Sequence, residues 1–451
     1  MSAISLSTSV NQHYLNKVMG LTDVMDVAAS EDIVDMRGMK LVAKGTILTR
    51  SQQTTLGLHK LRKTLESTLV AEGAADARLI VAGATRLIDT GKPLQRILDN
   101  AGGGGPSPLA LLGSMRFGAA MSMMLTLTDR NGPAALDHSI VVSLLSICMA
   151  KKLRLGADEQ MVAGLAGLLH DIGELYIDPA YLAPGKRLLP HEWAHLVVHP
   201  RIGQMLINEL ETYPTSVARA VAEHHERIDA TGYPRQLSGK DLSPAGQAVS
   251  AAEMIAGVLG KDNPLERAEL ALKIMPGEHA PALVSAISGA LRAQARESTA
   301  SDTPDNAGDS VERLARHIAG ARDAAQALAP RAERTPRTKA LLERVVERIN
   351  TIERAFASTG LDFFMKRDLV ADAPDNDNGA ILFEKAVATR EIQWRLRDIA
   401  RDLALNTLAS HEEQALFAPL IALIDDNAAN DPASPASPGP ASFEGRQPCA
   451  A

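Results

Sequence analysis

Aromatic side chains are scarce in this 451-residue chain, Phe, Trp and Tyr together making up 3% of it. A core with few rings is built most readily by packing helix on helix through small residues, and alanine and leucine abound between short polar spacers. Cysteine is nearly absent. Cys148 lies in an apolar stretch and Cys449 near the end, so no disulfide framework is available and the chain suits a reducing compartment. No apolar run approaches the ~20 residues that cross a bilayer. The polar start MSAISLSTSVNQHYLNK lacks the basic-then-apolar order of a signal peptide. These absences predict a cytoplasmic protein with no membrane partner. Positive charge is not in excess either: a net charge of −7 disfavours a nucleic-acid polymer as partner, while leaving room for a local basic pocket that takes a small phosphate ligand.

What the chain does have is helical periodicity on an ordinary globular composition, 45% hydrophobic and 22% charged. Residues 1–75 read as a small α+β module, with two short strands around a turn at Arg37-Gly38 and a helix opening near Thr49-Arg50-Ser51. Residues 76–106 read as a linker. It ends in AGGGGPSP, a glycine run without the Lys-Ser/Thr of a phosphate-cradling loop, hence a turn. Residues 107–298 are helical throughout, with short turns at Gly156, Pro184-Gly185 and Pro214. A polar linker at 299–311 leads to a C-terminal helical region at 312–430. There Leu342, Val345, Val346, Ile349, Ile352 and Phe356 form one stripe that packs within the molecule or, in the alternative, holds a homodimer. The segment 371–384, ADAPDNDNGAILFE, places Gly379 and Glu384 too early for a calcium loop and reads as a plain loop. Residues 431–451, rich in Pro, Ala and Ser, read as a disordered tail. The expected fold class is mainly α.

Seven of the twelve histidines fall between residues 138 and 225: His138, His170, His191, His195, His199, His224 and His225. First-row transition metals favour imidazole together with carboxylate, so this crowding in a helical bundle points to a metal site. The segment LAGLLHDIGELYI sets His170 and Asp171 at the end of an apolar helix, a pair that in isolation reads as an exposed terminus with Asp171 salt-bridged and His170 on the rim, so its context decides. His191 and His195 share a face with His199, where solvation and ligation fit equally well, and stay outside the candidate set. His138, behind Asp137 at a helix start, reads in isolation as a capping or rim residue. In AEHHERIDATGYPRQLSGKDLSP, His224 and His225 point about 100° apart on a helix, so both serve one site only if a loop folds back over it. That loop holds Gly232, free in φ, and Pro234, which stiffens it.

In order and spacing, HDIGELYIDPAYLAPGK, LPHEWAHLVVHPRIG and HHERIDATGYP resemble the motifs of the HD-GYP phosphohydrolases, a branch of the HD superfamily known for hydrolysing cyclic di-GMP. The resemblance covers about residues 130–260. The N-terminal strands and helix are similar, more weakly, to a small module often fused ahead of such domains. The resemblance implies an HD-type bundle at 107–298 and metal ligands at His138, His170, Asp171, His199, His224 and His225. Glu253, in SAAEMIAGVL, takes the place of a family aspartate. It implies two divalent transition metal ions, iron or manganese, bridged by Asp171, with His170 and Asp171 as the catalytic pair that generates a metal-bridged hydroxide. Asp229, Gly232, Tyr233, Pro234 and Arg235 are the implied substrate-binding residues. The implied function is a metal-dependent phosphodiesterase acting on cyclic di-GMP or a related small phosphate ester in bacterial signal transduction.

The chain departs from this pattern where substrate phosphate should bind. Glu174 and Ala183 replace lysines, Ala230 replaces a glycine, and GKDNPLER replaces an arginine-containing segment. Each lost cationic contact is worth roughly 1.5–3 kcal/mol. Arg227, Arg235, Lys186 and Arg187 are the available replacements. The alternative reading is a metal-bearing signalling or docking module with weak or no catalysis, which meets a protein partner at the Gly232–Pro234 loop.

Overall fold

The computed structural model describes residues 9–102, 105–130, 134–183, 186, 188–211, 213–261, 263–273, 277–295, 307–332, 335–358 and 375–425. Near the N-terminus, Ile33–Val34 pairs antiparallel with Lys40–Val42 around a turn at Gly38, whose φ of +85° suits glycine alone. Val27–Ala29 pairs with Leu69–Ala71. Gln52 Oε1 accepts the Thr49 amide N–H, closing the 3-10 turn Arg50–Gln52 that leads into the helix Gln53–Leu58. Ahead of these elements stands the helix Gln12–Leu21, capped by the Asn11 side chain, with Tyr14, Leu15, Val18 and Met19 buried.

Residues 76–106 correct the expectation of a linker. The Asp76 carboxylate caps the amides of Arg78 and Leu79 and opens the helix Ala77–Thr90, which is followed by Lys92–Asp99. Ile80, Ala84, Leu87, Leu94 and Ile97 are all buried. Their stripe is narrow and diluted by surface residues, so composition alone reads as polar spacer.

The bundle that follows is built around Ala135–Lys152, buried almost all round, against which Ala157–Leu169 and Pro244–Leu259 pack. Small residues permit the close approach: Ser143 Oγ donates to Gly164 O across the gap at 2.6 Å. His199–Leu210 and Thr215–Glu223 complete the wall. One apolar core runs from Tyr14 to Ala290, so the N-terminal elements and the bundle share it.

A second core, from Leu314 to Ile424, belongs to the helices Ala307–Ala332, Pro336–Ser358, Asp375–Thr407 and His411–Asp425. The stripe from Leu342 to Phe356 packs into it. Two expectations are corrected here. The helix Ala307–Ala332 begins inside the 299–311 linker, and the helix Asp375–Thr407 covers most of the 371–384 loop. The acidic residues that suggested a loop suit the first turn of a helix, where the dipole favours negative charge. Residues 299–306, 371–374 and the tail 431–451 lie outside the described residues. Among the described residues no single helix is long and apolar enough to cross a membrane.

Candidate metal centre

Three histidines are aimed by one local device. His170 follows the helix Ala157–Leu169, His224 caps Thr215–Glu223, and His199 comes shortly after Pro190–Leu196 ends. The last carbonyls of a helix lack intrahelical partners. Each ring takes one up through Nδ1: His170 on Gly167 O at 2.8 Å, His199 on Leu196 O at 2.8 Å and His224 on Val221 O at 2.6 Å. A carbonyl only accepts, so each Nδ1 carries a proton and each Nε2 faces inward as the coordinating atom.

The inward atoms meet at Asp171. Its Oδ2 lies 2.9 Å from His170 Nε2, while Oδ1 lies 3.3 Å from His199 Nε2 and 3.6 Å from His224 Nε2. Glu253 Oε2 stands 2.9 Å from His138 Nε2 and 3.2 Å from His170 Nε2. The His225 ring packs 4.1 Å from that of His224 and 5.1 Å from that of His199. Two ligand groups result, His138/His170/Asp171 and Asp171/His199/His224/His225, and Asp171 belongs to both. The cluster has an open side. The side chains of Asp171, Glu253 and His138 keep 23%, 21% and 22% of their surface exposed, against 2% or less for His170, His199 and His224.

Backbone contacts hold this geometry. Gly173 passes so close to the next ligand segment that a Cβ there would sit 2.1 Å from His199 O. Gly232 is pressed against the segment it folds over: a Cβ would lie 2.4 Å from His225 O and from Glu226 Cα. Space is what demands glycine at 232; the left-handed φ values in this loop belong to Ala230, at +62°, and Gln236, at +55°. The loop closes as Tyr233 N–H donates to His225 O at 3.1 Å and the Tyr233 ring stacks on His225 at 4.5 Å. Glu226, which the sequence reading passed over, accepts the amides of Arg235 and Leu237 at 2.7 and 3.0 Å and straps the loop's far end.

The electrostatics fit a cation. His199 Nε2 and His224 Nε2 face each other at 3.1 Å, a separation that needs a proton or a metal ion between two ring nitrogens. His170 Nε2 and Glu253 Oε2 are buried and within ion-pair distance, yet neither makes a hydrogen bond. Burial works against charge on every group here. Asp171 and Glu253 outweigh burial at His170 and His138, and Asp171 with Glu174 does so at His199, holding the three rings above the ordinary histidine range. The same contacts hold Asp171 and Glu253 well below the carboxylate range. Burial and neighbouring imidazoles push His224 down to about 4 and His225 well below its usual value. In the metal-free form, protons on imidazoles therefore balance two carboxylates, as metal ions would.

The implied substrate residues are placed less uniformly. Tyr233 lies against His225, while Asp229 is exposed and its Oδ1 braces Thr231 N and Oγ1 at 3.1 and 2.7 Å. Arg235 lines a cavity of about 710 Å³ with Arg219 and Lys240, a cavity that none of the candidate ligands lines. Of the replacement cations, Arg227 is buried on Ser250 Oγ at 2.5 Å and Lys186 is paired with Glu192 at 2.8 Å; Arg187 lies outside the described residues. Glu174 stands beside the cluster, where burial and the charge of Asp171 push its carboxyl up to about 7.

The family profile for the HD domain matches residues 121–278, the stretch that carries all these groups. The match spans about a third of the chain. Within it, the paired histidines and the Gly-Tyr-Pro loop resemble the motifs of the HD-GYP phosphohydrolases. The chain is 39% identical over 107 residues to a cyclic di-GMP phosphodiesterase of Pseudomonas aeruginosa, covering 24% of this chain and 26% of that one. It is 30% identical over 152 residues to 3'3'-cGAMP-specific phosphodiesterase 3 of Vibrio cholerae, covering 33% of each. A cyclic di-GMP phosphodiesterase response regulator of Xanthomonas campestris is 34% identical over 113 residues, 25% of this chain and 30% of its own. The chain thus spans between a quarter and a third of the length of these curated relatives.

Proposed function

We propose that this chain is a metal-dependent phosphodiesterase that hydrolyses cyclic di-GMP or a related cyclic dinucleotide. The observation that carries the reading is Asp171, whose two oxygens face two separate imidazole groups, the arrangement of a carboxylate shared by two ions. His138, His170 and Glu253 would hold one ion, and His199, His224 and His225 the other, with iron or manganese suited to the mixed nitrogen and oxygen donors. Such a pair lowers the pKa of a bound water and offsets the charge that builds on a phosphodiester during in-line displacement. The protein fixes donor direction through the carbonyl-held imidazoles, and the open side at Asp171, Glu253 and His138 admits the phosphodiester. Glu174 stands beside the cluster where the resemblance places a lysine, so a phosphoryl oxygen there meets a carboxyl group in place of a cation. The relatives are bacterial and named for cyclic di-GMP or cGAMP, which supports a role in bacterial signalling.

One observation favours the second reading, a metal-bearing docking module: Arg227 and Lys186 are already engaged elsewhere and leave the phosphate clamp thin. Metal analysis and turnover of cyclic di-GMP with Mn²⁺ or Fe²⁺ under reducing conditions separate the two. Two ions per chain with hydrolysis that His170→Ala abolishes supports the enzyme. Metal without turnover in the parent, with activity appearing in Glu174→Lys, supports the docking module. A chain that holds no metal overturns both.

A further inference from the structure

His225 differs from the other imidazoles of its group. His170, His199 and His224 are each oriented by a backbone carbonyl, whereas among the described residues no hydrogen bond holds the His225 ring. Ring contacts position it: His224 and His199 on the cluster side, at 4.1 and 5.1 Å, and the Tyr233 stack, 4.5 Å between centroids and 26° between planes. Tyr233 in turn meets Trp193 edge-on at 5.8 Å and 75°, and the Arg401 guanidinium lies 4.3 Å over the Trp193 ring. Arg401 belongs to the helix Asp375–Thr407, nearly two hundred residues beyond the histidines in the sequence.

The same helix grips the other end of the loop. Gln236 donates to Asp402 Oδ1 at 2.5 Å and accepts from Arg344 at 3.0 Å, while Arg348 spans Asp398 at 2.7 Å and Asp402 at 3.2 Å. Asp398, Arg401 and Asp402 are spaced three and four apart, so they share one face. The opposite face, with Ile392, Leu396, Ile399 and Leu403, fills the C-terminal core. Two residues of this face reach the segments around the metal ligands, Arg401 over Trp193 and Asp402 at Gln236, while Asp398 pairs with Arg348 inside its own bundle.

We propose that the Asp375–Thr407 helix is a working part of the metal centre, with Arg401 a positioning residue that sets the His225 ring through Trp193 and Tyr233. This rests on reading the histidine cluster as a metal centre. Outer contacts of this kind alter metal affinity by 10–100-fold in characterised sites, and a cation over an aromatic face is retained when Arg is replaced by Lys.

Mn²⁺ binding to the metal-stripped full-length chain tests it, with calorimetry or the electron paramagnetic resonance signal of free Mn²⁺ as the readout. The parent is expected to bind two ions. Arg401→Ala should weaken one of them about tenfold and leave the other unchanged, and Arg401→Lys should restore most of the loss. Trp193→Leu should reproduce the Ala phenotype by breaking the stack one link nearer the ligand. Arg337→Ala, which removes an ion pair to Glu413 within the C-terminal bundle, is the control and should shift neither ion. If Arg401→Ala binds Mn²⁺ as the parent does, or loosens both ions alike, the proposal is overturned while the metal centre stands. A parent that binds no Mn²⁺ overturns the metal centre and this proposal with it.

Discussion

At Gly173 a single missing carbon lets the turn after Asp171 lie against His199. With the nearest carbonyl 2.1 Å from where a Cβ would sit, Gly173→Ala has to push two ligand-bearing segments apart. Overpacking of this kind costs about 1–3 kcal/mol. Urea unfolding should show that loss, and metal analysis should show fewer ions per chain. Glu174, one residue on, carries the clearest pH signature. Its carboxyl titrates near 7 in the folded metal-free chain, against 4.5 ordinarily, so the folded state keeps a proton that the unfolded state releases across that window. The stabilising contribution is full below pH 4.5, declines as pH rises, and is gone once the folded carboxyl ionises. Glu174→Gln should therefore melt increasingly above the parent as pH goes from 5 to 8, in chelator-treated protein; a constant difference would contradict the assignment. At this scale much was legible. The His170-Asp171 pair alone reads as an exposed helix end, and it was the spaced histidine motifs around it that pointed to a metal, while the carbonyl device that aims His170 and His224 lies within three residues of each. Gly232 was picked for φ freedom when close approach is its reason, because sequence shows a glycine without showing what it touches.

Among the elements, the Asp375–Thr407 helix joins the two cores through its polar face. Arg395 pairs with Glu278 at 2.8 Å, both side chains 5% exposed. Removing one partner of a buried pair strands the other and typically costs about 3–5 kcal/mol, while replacing both by apolar groups is often neutral. Arg395→Met should lower denaturant stability by that order, and Arg395→Met with Glu278→Leu should recover most of it. Helices with strong apolar stripes, such as Pro336–Ser358, were readable from spacing. Ala77–Thr90 and the start of Asp375–Thr407 were not, since a half-exposed helix and an acidic first turn both resemble spacer in composition.

For the molecule as a whole, the metal-free site holds protons that ions must displace. His138, His170 and His199 sit above the ordinary histidine range through Asp171, Glu253 and Glu174, so metal uptake near pH 7 should release more than one proton per chain. Calorimetry in two buffers of different ionisation heat counts them, and affinity should fall steeply toward pH 5.5. No proton release would mean that the imidazoles are already neutral. How the distant parts of the chain enclose the site could not be read from local pattern, because the contacts join residues more than 150 apart. Lys17 Nζ donates to Glu174 O at 3.2 Å and Leu175 O at 3.3 Å, Asn11 reaches Tyr176 O at 3.3 Å, and Tyr14 stacks on Tyr176 at 5.1 Å.

That N-terminal latch bears on how this molecule is inherited and engineered. A segment cut at the borders of the matched domain would leave behind the lysine, asparagine and tyrosine that grip the turn beside Asp171, together with the helices at 77–99 that cover its flank. Transplanting the catalytic stretch onto another input would therefore mean carrying residues 9–99 along. A bare 107–298 fragment is expected to come out of cells insoluble or unable to keep its ions, whatever is fused ahead of it.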